Sequence, residues 1–129
     1  MDAYSVGEVT QDITSADSKL HGKEIAVKGW LGQCGGLDCA IYPSLVDAKL
    51  VAEGEAESEA WSAAMDRRLS IGGADDFDRA AMLMQFSEVV LYGQVNATHK
   101  KPPTESGNDF GCWDRCDDIK PTSIELLAF

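Results

Sequence analysis

Four cysteines carry the densest chemistry in this 129-residue chain. Cys34 and Cys39 stand either side of four residues, and Cys112 and Cys116 either side of three. Four thiolates can close a tetrahedral zinc site, although these spacings are not the C-x2-C of zinc ribbons and fingers. A second reading is a disulfide, most simply Cys34–Cys39 across a hairpin, in an oxidising compartment. A third leaves four thiols, free or partly buried. A nucleophilic cysteine would need a lowered pKa and a base; His99 is the candidate nearest in sequence. No cofactor other than that zinc is called for.

Carboxylates are the next group. Asp75, Asp76 and Asp78 follow Gly72-Gly73 and open a helical pattern, where acids cap and match the helix dipole. Asp114, Asp117 and Asp118 lie among the later cysteines. They could meet a cation or a basic partner, but lack the ligand alternation and terminal Glu of an EF-hand loop; a solvated loop is the simpler expectation. No phosphate loop, dinucleotide fingerprint, nucleophile elbow or zinc-protease motif occurs.

Lys and Arg number 11 against 22 acids, for a formal net charge of -11 and a pI near 4.4. A phosphate backbone is bound by neutralising it, so nucleic acid is not the expected partner unless Arg67, Arg68, Lys100 and Lys101 form a local basic face. No apolar run is long enough to span a membrane. Met1 to Ser5 show neither a charged n-region nor an apolar h-region. A chain complete as written is expected in the cytoplasm; one trimmed of a signal peptide, in the periplasm or outside.

The elements that must position these groups read as one domain, 1–129. Val6, Val9 and Ile13 predict a helix within residues 5–20, and Ser5 with Glu8 has capping-box spacing. Lys23 to Leu31 alternates as a strand, with Ile25, Val27, Gly29 and Leu31 on one face and Glu24, Ala26, Lys28 and Trp30 on the other. Gly35 to Asp38 predicts a hairpin loop and Cys39 to Tyr42 a second strand. A helix is expected over 53–68 and a short strand over 68–71. Phe77, Ala80, Ala81 and Met84 predict a second helix face, before a strand from Glu88 to Ala97. That strand also carries a glycine, Gly93, in phase with its inward set. Both glycines read as bends. A polar loop over 98–122 then precedes a last strand over 124–128.

Strand, hairpin, strand, strand, helix, strand, long loop, strand is the order of a five-stranded Greek-key barrel, the OB-fold, with its helix between strands three and four. The helix over 53–68 is then an insertion between strands two and three. An open antiparallel sheet with helices on one face is the alternative arrangement. Leu20-His21-Gly22-Lys23-Glu24-Ile25-Ala26-Val27-Lys28-Gly29-Trp30 resembles the opening strand of OB domains, the anticodon-binding type among them, where a Gly-Lys turn precedes alternating valines and a Gly-aromatic pair. Residues 68–73, 77–81 and 114–121 are similar to parts of small bacterial OB-like proteins of uncharacterised function. That resemblance brings no activity; its members look exported.

On such a barrel, Trp30, Tyr42 and Tyr92 can stack on a ligand or pack under the added helices. Trp113 is the aromatic expected to be exposed and Trp61 one expected in the core. The expected function is non-enzymatic: a binding module whose ligand, a protein or small molecule, sits against strands two and three between the cysteine-bearing loops. The alternative is an acidic inhibitor or immunity-type protein that docks on a basic partner through its carboxylates. A hydrolase has no supporting motif.

Overall fold

A computed structural model describes residues 3–36, 38–73, 75–97 and 117–127. These form a mainly antiparallel sheet with four helices. The elements are β1 (Tyr4–Ser5), α1 (Val6–Thr14), β2 (Glu24–Gly35), β3 (Asp38–Tyr42), α2 (Leu45–Glu53), α3 (Glu59–Arg67), β4 (Leu69–Ser70), α4 (Asp75–Met82), β5 (Glu88–Val95) and β6 (Ile119–Leu126). The strand order is β4-β3-β2-β5-β6, and β1 adds in parallel to β2. The sheet thus has six strands, not five. Its hydrogen-bonded path is open; β4 and β6 approach through a single parallel bridge, Ile71 with Ile119. Among the described residues no helix is long and apolar enough to cross a membrane.

α1 forms where the spacing puts it. Ser5 accepts the Glu8 backbone N–H at 3.1 Å, and Glu8 reaches back to the Ser5 N–H at 2.8 Å. This capping box satisfies donors that have no partner within a first turn. Val6, Val9 and Ile13 are buried and enter the main core beside Ile25, Val27 and Leu31 of β2 and Val89 and Leu91 of β5. Phe77 and Ala81 of α4 enter the same core.

β2 and β5 pair in register from Glu24 with Gln94 to Trp30 with Glu88. Gly93 lies where the β5–β6 register shifts, with Gly93 opposite Pro121 and Tyr92 opposite Ser123. The unmatched residue there is Thr122 of β6, and a Cβ on Gly93 would come within 2.5 Å of the Lys120 carbonyl, so this glycine stands beside an irregularity and also serves close approach. Gly29 is a correction. The irregularity of β2 lies between Leu31 and Cys34, whereas a Cβ on Gly29 would come within 2.7 Å of Val6, 2.8 Å of the Tyr42 carbonyl and 2.9 Å of Ile41. Gly29 is small so that α1 and β3 can approach β2.

Two further boundaries differ. The helix expected over 53–68 is the shorter α3, and α2, which ends at Glu53, is a helix the spacing did not predict; Glu57, with a φ of 67°, stands between them. β6 begins at Ile119, inside the expected loop. Proline suits an irregularity of this kind, because the ladder asks no N–H of it there.

Candidate binding face

Side chains alternate across each strand, so β2 and β5 send one set into the core and one outward. The outward set pairs Ala26 with Tyr92, Lys28 with Val90, and Trp30 with Glu88. Trp30, Val90 and Tyr92 are half-buried. The Tyr92 hydroxyl donates to Glu125 of β6 at 2.8 Å, and this carboxylate pushes the phenol pKa up. Lys28 lies 4.0 Å from Glu88. Beside Trp30 a groove of about 330 Å³ opens, walled by Ser5, Glu8, Lys28, Pro43 and Glu88.

The outward side of β3 is different. Ala40 and Tyr42 are buried against Ala48 of α2, with Val51 and Phe86 packed around them. Tyr42 therefore offers no open ring to a ligand; it is a small second core. Burial pushes its phenol pKa up, against the lowering effect of Arg68. Arg68 donates to the Tyr42 hydroxyl at 3.1 Å and pairs with Asp38 at 3.1 Å. Burial works to lower the Arg68 pKa, but Tyr42 and Asp38 outweigh it and the guanidinium is held above its usual value. Arg67 grips Asp47 with two hydrogen bonds of 2.8 Å. The Trp61 indole N–H donates to the Val51 carbonyl at 3.3 Å. The insertion thus covers the surface of strands two and three where a ligand was expected. It also takes Arg67 and Arg68 out of any basic face; Lys100 and Lys101 lie outside the described residues.

Cys34 and Cys39 form a disulfide, with S–S 2.00 Å. Both are buried where β2 turns into β3. The Cys34 N–H donates to Gln85 at 2.9 Å, and the Asp78 carboxylate lies 4.0 Å from the Cys34 sulfur. Sulfurs bonded to each other are not thiolates, so this pair has no ligand to give a four-cysteine zinc site. Among the described residues no group of three or more His, Cys, Asp or Glu is placed to hold a metal. Cys112, Trp113, Asp114, Cys116 and His99 lie outside the described residues.

Asp117 accepts from the Asn96 side chain at 3.1 Å. Asp118 is 2% exposed and accepts the Ser70 backbone N–H at 2.9 Å. It ties the start of β6 to β4 and presents no docking surface. Asp75, Asp76 and Asp78 occupy the first turn of α4, and Asp76 pairs with Arg79.

Two features carried no sequence signal. A cleft of about 480 Å³ lies between α1 and the turn before β2, lined by Tyr4, Asp12, Lys19 and Lys23 among others. Asp12 is spent within the chain, accepting from the Ser18 hydroxyl at 2.5 Å and the Lys19 N–H at 2.9 Å. His21 Nδ1 accepts the Ala97 backbone N–H at 3.0 Å.

No protein-family model matches the sequence, and neither a curated protein nor a solved structure matches it.

Proposed function

We propose that this chain is a non-enzymatic, OB-like binding module that meets its ligand on the outward face of β2, β5 and β6. The observation that carries this is the contrast between the two outward surfaces: α2 buries that of β3, while Trp30 and Tyr92 remain half-buried on the other. A half-buried aromatic with a polar tip is the residue type that anchors interfaces.

The order β4-β3-β2-β5-β6 supports the OB-like reading, since a barrel of that order closes by a parallel contact between its end strands. The Ile71–Ile119 bridge and the Gly72 N–H donating to the Ile119 carbonyl at 2.9 Å are such a contact. α4 lies between the third and fourth strands of that five, as an OB helix does. The Cys34–Cys39 bond suits an oxidising compartment. A net charge of -11 favours a cationic ligand or basic protein surface over nucleic acid.

Affinity capture from host lysate tests the reading. A partner retained by the wild type is expected to be lost at least tenfold with Trp30→Ala/Tyr92→Ala, and kept with Val46→Ser on α2. Equal capture by the double variant would overturn the assignment of the face.

A further inference from the structure

We propose that the groove beside Trp30 is an arginine-anchoring site, which takes the guanidinium side chain of a basic partner segment. This rests on the reading of β2, β5 and β6 as the binding face and adds the chemical class of what is bound.

Trp30 is built differently from Trp61. The Trp61 indole N–H is satisfied within the fold, by the Val51 carbonyl. The Trp30 indole N–H has no acceptor among the described residues, although the ring is half-buried and forms one wall of the groove. Such a donor can meet a peptide carbonyl. The π-face of the same ring attracts a cation, and a planar guanidinium can stack on it.

Two carboxylates line the groove with it. Glu88 is the cross-strand partner of Trp30. Its one ion pair among the described residues is Lys28 at 4.0 Å, with 34% of the Glu88 side chain and 52% of the Lys28 side chain exposed. An exposed pair at that distance is worth little, so an incoming cation can displace it. Glu8 uses one oxygen to accept the Ser5 N–H, and an ionised carboxylate has further acceptor sites. An aromatic face with a carboxylate alongside matches a guanidinium better than an ammonium, because the fork geometry serves the carboxylate while the plane serves the ring. At about 330 Å³ the groove is at the small end of ligand sites, roughly 300–1,000 Å³, which suits one anchored side chain rather than a large cofactor. Lys28 is the competing cation, and this gives the proposal a signature that a merely structural groove lacks.

The test is an NMR titration that follows the Trp30 indole resonance, assigned by its loss in Trp30→Phe. The probe is a neutral-flanked pentapeptide with one central arginine; the control carries citrulline, equal in shape and uncharged. The expected result is a saturable shift of the Trp30 indole, with citrulline at least tenfold weaker. Glu88→Gln is expected to weaken arginine binding about fivefold, and Lys28→Gln to tighten it about two- to fivefold. Equal binding of citrulline, a shift at Trp61 in place of Trp30, or no shift overturns the proposal. If capture of a partner is lost with Trp30→Ala/Tyr92→Ala while the arginine peptide stays silent, the face stands and arginine anchoring falls. If capture is unaffected by that variant and the peptide is silent, both fall. Trp30→Phe and Glu88→Gln leave an aromatic ring and an isostere in place, and an unchanged thermal midpoint separates loss of binding from loss of fold.

Discussion

Arg67 of α3 holds Asp47 of α2 through two parallel hydrogen bonds of 2.8 Å, and so clamps the helical insertion over the outward side of β3. Asp47 is 6% exposed, so removing its partner leaves a carboxylate with little water to replace the bonds. Arg67→Ala is expected to cost about 1 kcal/mol, the low end for such a pair, because the Arg67 side chain is half exposed and water screens it. Urea unfolding reads that loss. Hydrogen exchange is expected to rise in α2 and α3 with β2 and β5 unchanged. A uniform rise across the sheet would show that the insertion is part of the main folding unit.

Glycine substitutions separate close approach from helix propensity. Gly29→Ala puts a methyl group against Val6, the Tyr42 carbonyl and Ile41 at 2.7–2.9 Å. Overpacking of this kind costs about 1–3 kcal/mol. Gly7 in α1 has only the Ser5 hydroxyl near, at 3.9 Å. Gly7→Ala is expected to stabilise by roughly 0.5–1 kcal/mol through chain entropy. Denaturant midpoints moving in opposite directions confirm the pair; a neutral Gly29→Ala would remove the packing role given to that glycine.

The Cys34–Cys39 bond closes a short loop, five positions apart. Loop-closure entropy for so small a ring gives about 2 kcal/mol. Cys34→Ala/Cys39→Ala is therefore expected to lower stability by about that amount while β2 and β3 stay paired. Cross-strand amide protection measures the second part. Loss of the β2–β3 pairing would mean that the bond holds the hairpin and does more than restrict the unfolded chain.

Asp12 gives a pH dependence with a definite sign. Burial works to raise its pKa, but the Ser18 hydroxyl, the Lys19 and Leu20 N–H groups and the Lys19 charge outweigh it and hold it below 3.8. A carboxyl whose folded pKa is depressed contributes stability above its unfolded pKa and loses it as pH falls through the folded one. Asp12→Ala is expected to be destabilising at neutral pH, with the gap to the wild type narrowing as pH falls below 3.8. Chemical unfolding at a series of pH values checks this, and a constant gap down to pH 2 would contradict it.

Local signals in the sequence were readable where one element settles its own fate. Ser5 with Glu8 announced the α1 cap, Phe77 and Ala81 announced the buried face of α4, and the alternation through Ile25 and Leu91 announced β2 and β5. Cys34 and Cys39 announced their own bond as one of several readings. What stayed hidden depends on partners distant in sequence. α2 has no clean apolar stripe: Ala48 is buried while Val46 is 74% exposed. The burial of Tyr42 under α2 follows from that helix and not from β3. Asp118 reads as a loop acid until Ser70, 48 positions away, is seen to donate to it. Pro121 reads as a loop residue until the shift opposite Gly93 gives it a place in β6. For the candidate site, parity put Trp30, Tyr42 and Tyr92 outward with stacking or packing both open; that Tyr42 packs under α2 while Trp30 and Tyr92 stay half-buried depends on where that helix lies.

The most direct test of the binding face is photo-crosslinking in host lysate with benzoylphenylalanine at single positions. Val90 lies on the outward side of β5, opposite Lys28, and Val46 is exposed on α2. Adducts concentrated at position 90, and suppressed by Trp30→Ala, are the predicted result. Adducts at position 46 with none at position 90 would contradict the account.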